Sequence, residues 1–264
     1  MKRPTIALLS ILIGLTSAAQ AVIIAQDTAS DAAYAGGWTT GTNGGSGFQA
    51  WDIVPMDLGG SASIAANSSV NIPNSGPAFG LSTGELGASE WGLYGIVATR
   101  GLNSPMAFGD TFRGSLDNGA IGATGPGSGI SFIFRNAAGA ELTSIWVYQD
   151  PWYSSGANYQ IGGAGDSGVA LSTGGVLFAL TPQSNSSFSL TLQPIGGSAT
   201  TVNGAYTSGR TGQIASIDVR AYNNGAGTNG DFYVNNLEIE AVPEPATMAG
   251  LAVGLGFLVR RRRR

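Results

Sequence analysis

Between Val22 and Ala241, apolar side chains return at every second position, and clusters of glycine, asparagine and serine break the runs. A period of two is the spacing of a strand with one face on a core, whereas a helix would repeat every three or four residues. "SFSLTLQ" shows it most plainly: Phe188, Leu190 and Leu192 alternate with Ser187, Ser189, Thr191 and Gln193. "GISFIFRN" sets Ile130, Phe132 and Phe134 on one side, with Ile133 giving the other side partial cover. "SIDVRAY" alternates Ile217, Val219 and Ala221 against Asp218, Arg220 and Tyr222. "DFYVNNLEIE" reads as Tyr233, Asn235, Leu237 and Ile239 against Phe232, Val234, Asn236, Glu238 and Glu240.

Glycine is 42 of 264 residues and charged residues are 11 %, a balance that in a weakly apolar chain would leave disorder. Here 43 % of residues are hydrophobic, enough for a core of useful size. Many short strands between turns such as "TNGGSG" and "NNGAGTNG" predict an all-β antiparallel β-sandwich or jelly roll. No linker divides residues 22–241, so they are read as one domain. The structural alternative, a parallel β-helix, would need a fixed repeat period, which the sequence lacks. Trp38, Phe48 and Trp51 are expected to pack with the first strands, and the Gly-Thr-Asn-Gly-Gly-Ser-Gly between them to form a turn that needs positive φ.

Histidine and cysteine are both absent. Ser-His and Cys-His nucleophile pairs are therefore excluded, as are disulfides. Charge is distributed unevenly. Residues 22–241 hold five arginines and fifteen carboxylates, a net charge of −10, while five arginines end the chain. A domain that acidic repels phosphate backbones, so no nucleic-acid partner is expected.

Residues 1–21 read as a signal peptide. Lys2 and Arg3 precede an apolar run from Ile6 to Leu15, and Ala19-Gln20-Ala21 is a small-x-small cleavage site. The signal would form a helix, and the exported chain would start at Val22.

Chemistry is harder to read. A carboxylate enzyme would draw on Glu85, Glu90, Asp110, Asp117, Glu141 or Asp150, but none lies in a compact motif, and no catalytic residue is assigned. In "YQDPWYSSGANYQ", Trp152, Tyr153 and Tyr159 are candidate platforms for a sugar ring, with Asp150, Asn158 and Gln160 as partners for its hydroxyls. No cofactor is expected. The nearest approach to one is Ca2+, for which Asp218, Asn223, Asn224 and Asp231 offer oxygen ligands without the spacing of a calcium loop.

Residues 242–264 form a separate segment. Pro243-Glu244-Pro245 is followed by fourteen uncharged residues, Ala246 to Val259, and then by Arg260, Arg261, Arg262, Arg263 and Arg264. The two prolines enforce an extended, exposed stretch that a protease could grip. The uncharged run predicts a short transmembrane helix, and the arginines a stop to transfer on the cytoplasmic side. As a helix it spans about 21 Å against about 30 Å of hydrocarbon, which suits a transient anchor in the inner membrane.

These three parts in this order resemble the PEP-CTERM sorting signal of exported bacterial proteins. The resemblance implies that an exosortase-type transpeptidase recognises Pro243, Glu244 and Pro245 and removes the helix and the arginines. It also implies delivery to the cell surface or extracellular matrix, often alongside exopolysaccharide. The expected function is a non-enzymatic envelope protein that binds carbohydrate or serves a structural role. The alternative is an envelope glycan hydrolase or lyase working through carboxylates.

Overall fold

The computed structural model describes residues 21–65, 72, 76–84, 94–117, 128–149, 156–172, 174–223 and 232–242. Val22–Ala241 is one compact unit. The signal helix and the C-terminal transmembrane helix expected from the sequence lie outside the described residues. Among the described residues, no helix is long and apolar enough to cross a membrane.

Fifteen strands appear among the described residues, and every pairing is antiparallel. In chain order they are β1 (Val22–Asp27), β2 (Phe48–Asp57), β3 (Gly60–Ala65), β4 (Ala78–Thr83), β5 (Tyr94–Leu102), β6 (Thr111–Asp117), β7 (Ser128–Arg135) and β8 (Glu141–Gln149). They continue as β9 (Asn158–Ile161), β10 (Gly165–Ala170), β11 (Val176–Pro182), β12 (Ser187–Pro194), β13 (Thr200–Ala205), β14 (Ser216–Tyr222) and β15 (Phe232–Ala241). One sheet runs β13-β12-β11-β6-β15-β4-β3, with β1 also paired to β15; the other runs β10-β9-β8-β7-β14-β5-β2.

The faces follow the alternation in the sequence. Phe188, Leu190 and Leu192 of β12 are buried, as are Ile130, Phe132 and Phe134 of β7. Phe112 and Phe178 from the first sheet meet Phe132 and Phe134 from the second at ring-centroid distances of 4.9–6.2 Å. A second aromatic group joins Tyr34, Trp38, Trp51 and Phe79, with centroids 4.9–5.5 Å apart. Mostly edge-on and tilted rings at these distances add about 0.5–1.5 kcal/mol per pair to simple burial.

Two strands depart from strict alternation. In β15, Phe232 and Val234 point into the core at one end and Leu237 and Ile239 at the other. The switch from even to odd numbers falls at Asn236, which sits at φ 53° where the register with β6 shifts between Asn235 and Glu238. A bulge adds one residue and turns the inward set over, so the single face read from Tyr233 to Ile239 does not exist. In β14, Asp218 is buried instead of exposed. Arg135 and Arg220 each reach its carboxylate at 2.5 Å, and Thr99 donates to it at 2.9 Å. Those contacts compensate its desolvation.

Candidate functional site

The segment singled out for sugar stacking divides between described and undescribed residues. Asp150, Trp152 and Tyr153 lie outside the described residues. Tyr159 lies in β9 and its ring is fully buried; burial pushes its hydroxyl up to about 12. This ring packs in the core, so it offers no face to a ligand, which corrects the role read for it from the sequence. Strand alternation explains the outcome: Tyr159 and Ile161 point inward, while the Asn158 amide is held outside by Asp166 at 3.0 Å.

Of the carboxylates, Glu85 and Glu90 lie outside the described residues. Asp110 accepts the Ala107 amide at 2.8 Å and closes its own turn. Glu141 accepts the Ser144 hydroxyl at 2.8 Å, and Asp117 is buried at the end of β6. Among the described residues, no three His, Cys, Asp or Glu side chains gather where they could hold a metal ion. Asn224 and Asp231 lie outside the described residues, Asp218 is engaged by arginines, and the Asn223 carbonyl oxygen Oδ1 accepts the Tyr94 amide at 2.8 Å. Of the processing residues, Ala19, Pro243, Glu244, Pro245 and Arg260–Arg264 lie outside the described residues, and Ala21 immediately precedes β1.

Among the described residues, one tightly held polar group is a residue the sequence did not single out. Arg100 of β5 is fully buried and ion-paired to Asp27 of β1. Its guanidinium also donates to the Gln49 carbonyl, the Asn43 side-chain oxygen and the Gly44 carbonyl, each at 2.8 Å. Phe48 and Trp51 lie against it at 4.7 and 5.0 Å from their centroids. Desolvation pulls this guanidinium down to about 9, still above neutrality, so it stays charged. With its donors engaged and no exposure, Arg100 locks β1 and the turn at Asn43–Gly44 onto β5. The role is structural.

A candidate site among the described residues lies on the outer face of the first sheet. Cross-strand pairing aligns Thr201, Thr191, Ala179, Arg113, Glu238 and Gln26 in one row across six strands. Ala179 is the short side chain in the middle of that row. With Gly114 beneath, it leaves a groove of about 340 Å³ flanked by Leu177, Thr191, Gln193, Arg113, Asn236 and Glu238. Gly114 is required there, because a Cβ would meet the Phe178 ring at 2.5 Å.

Arg113 is fixed by a fork to Glu240, its Nε and Nη2 donating at 2.9 and 2.8 Å to one carboxylate oxygen. Thr191 and Thr201 share a hydrogen bond at 2.8 Å, and in the next row so do Thr111 and Thr181. The face is thus an array of hydroxyls, amides and ions around a shallow apolar floor. Such a surface can exchange hydrogen bonds with a polyhydroxylated ligand while covering its apolar patches. The polar positions of "SFSLTLQ" are legible in the sequence only as a solvated face, and nothing there says that Thr191 stands opposite the short Ala179.

Solved structures similar in fold include lectin I-B4 from Griffonia simplicifolia in a metal-free form, at 10 % identity over 71 % of this chain and 92 % of that one, with a TM-score of 0.40. A legume lectin-like domain from Entamoeba histolytica matches at 8 % identity over 74 % and 90 %, with a TM-score of 0.42. A carbohydrate esterase from Shiga toxin-encoding bacteriophage phi24B matches at 13 % identity over 84 % and 99 %, with a TM-score of 0.48. No curated protein matches the sequence. Residues 241–264 match the PEP-CTERM protein-sorting motif, and the chain therefore carries the signal of an exosortase substrate.

Proposed function

We propose that the protein is exported, held briefly in the inner membrane by residues 246–259, and cut near Pro243–Pro245 by an exosortase-type transpeptidase. The sandwich then acts at the cell surface or in the extracellular matrix as a carbohydrate-binding, non-enzymatic module, with exopolysaccharide as its partner. The observation that carries this reading is the sorting motif at residues 241–264. The groove over Ala179 supports the binding half: it is open, polar at its walls and fixed by the Arg113–Glu240 fork. The signal peptide read at residues 1–21 supports export. Calcium has no part in the reading.

The test is a glycan array probed with residues 22–241, alongside Ala179→Trp, which fills the groove from an outward-facing position. Binding that falls at least tenfold in Ala179→Trp supports the reading, as a blocked pocket should. Equal binding by both proteins moves the site elsewhere, and cleavage of any bound glycan overturns the non-enzymatic part.

A further inference from the structure

We infer that the end of the sandwich from which the sorting tail departs is a lipid-facing surface that seats the domain on the bilayer while the tail is intact. This rests on the reading of residues 246–259 as a membrane anchor. Exposed apolar side chains gather at that end, Val22, Ile23 and Phe108 among them. Val22 opens β1 and pairs with Ala241, the last residue of β15; Ile23 pairs with Glu240. Glu240 pairs on its other side with Thr111, three residues beyond Phe108. Val22, Ile23 and Phe108 are 55 %, 50 % and 46 % exposed, so the fold does not use them as core.

Chain length says what covers them. β15 ends at Ala241 and the uncharged run begins at Ala246. The five steps from Ala241 to Ala246 span at most about 18 Å when fully extended. The headgroup layer on one side of a bilayer is about 5–7 Å thick. The strand end is therefore tethered within reach of the headgroups, and the side chains beside it are apolar. The loop that carries Phe108, "NSPMAFGD" from Asn103 to Asp110, has one charged residue, and that aspartate is buried and bonded to the Ala107 amide. In a domain of net charge −10, the charges at this rim are the Arg113–Glu240 pair, neutral as a unit, so the apolar side chains beside it meet a bilayer without a local excess of negative charge.

The chain has no cysteine, so single-cysteine labelling of the full chain reads this directly. Phe108→Cys and Leu58→Cys are compared in phosphatidylcholine vesicles with a nitroxide quencher at the headgroup. Leu58 is matched in exposure at 47 % but follows Asp57, at the other end of β2 from Phe48. The expected result is about threefold or greater quenching at position 108 relative to 58, reduced by Ile23→Asp in the Phe108→Cys background. Protein that floats with the vesicles but shows equal, weak quenching at both positions overturns the inference and leaves the anchor intact. Protein that does not float overturns both. A label at position 108 that is shielded according to protein concentration, without lipid quenching, overturns the inference in favour of a second copy of the chain.

Discussion

Asp27 and Arg100 form an ion pair in the interior between the two sheets, with neither side chain exposed. The pair joins the first strand of one sheet to β5 of the other, and the aromatic rings of Phe48 and Trp51 close over it. Removing one member leaves the other charged and out of water. Asp27→Ala is expected to cost about 3–5 kcal/mol in urea denaturation. Arg113→Ala, which breaks a largely exposed pair with Glu240, should cost about 1 kcal/mol or less. Equal losses would mean that burial is not what makes the first pair matter.

The turn held by Arg100 makes its own demand on glycine. Gly45 sits at φ +68°, and a Cβ there would overlap the Gln26 carbonyl, whereas Gly41 at φ +91° faces open space. Gly45→Ala should therefore destabilise by about 3 kcal/mol, through backbone strain and a steric clash that must be relieved. Gly41→Ala meets strain alone and should cost about 1 kcal/mol. Thermal melts of the two variants give the comparison.

Alkaline pH should weaken the fold through its buried tyrosines. Desolvation pushes Tyr206 and Tyr159 up to about 12. A tyrosine in the unfolded chain titrates near 10, so the folded state keeps each proton longer. The stability this represents is complete below about pH 10 and is lost as the pH climbs to about 12, on the order of 2–3 kcal/mol per residue. The Tyr206 hydroxyl has no hydrogen-bond partner among the described residues. Tyr206→Phe should thus be neutral or up to about 1 kcal/mol stabilising at pH 7, and should flatten the alkaline limb. A limb of unchanged depth in the variant would assign it to other groups.

Processing gives a prediction that is independent of the fold. Glu244→Ala removes the charged residue between two prolines in the sorting motif. Cells expressing it should accumulate an uncut, membrane-associated form, visible as a larger band in the membrane fraction. Unchanged processing would count against the sorting reading.

The layered β architecture could be read from β7 and β12 because each inward set is a simple alternation of large apolar side chains. β15 escaped such a reading, since the bulge at Asn236 exchanges its two faces and only the pairing with β6 and β4 reveals it. Arg100 looked like one more charge among few, and its partner lies 73 residues away. Tyr159 looked like a surface aromatic because turn residues surround it, yet its place in β9 sends the ring inward. The groove was invisible for a related reason. Arg113, Ala179 and Thr191 are remote in sequence and become neighbours only through the register of three strands.

The pairing of β1 with β15 also sets a timetable. The first strand of the chain has its partner in the last, and the acidic side chain that neutralises Arg100 lies in the first. The edge formed by β1 and β15 closes only once β15 is free to pair. Non-local pairing of this kind slows folding. On the proposed export route, completion of this sheet would follow emergence of the strand that directly precedes the sorting motif.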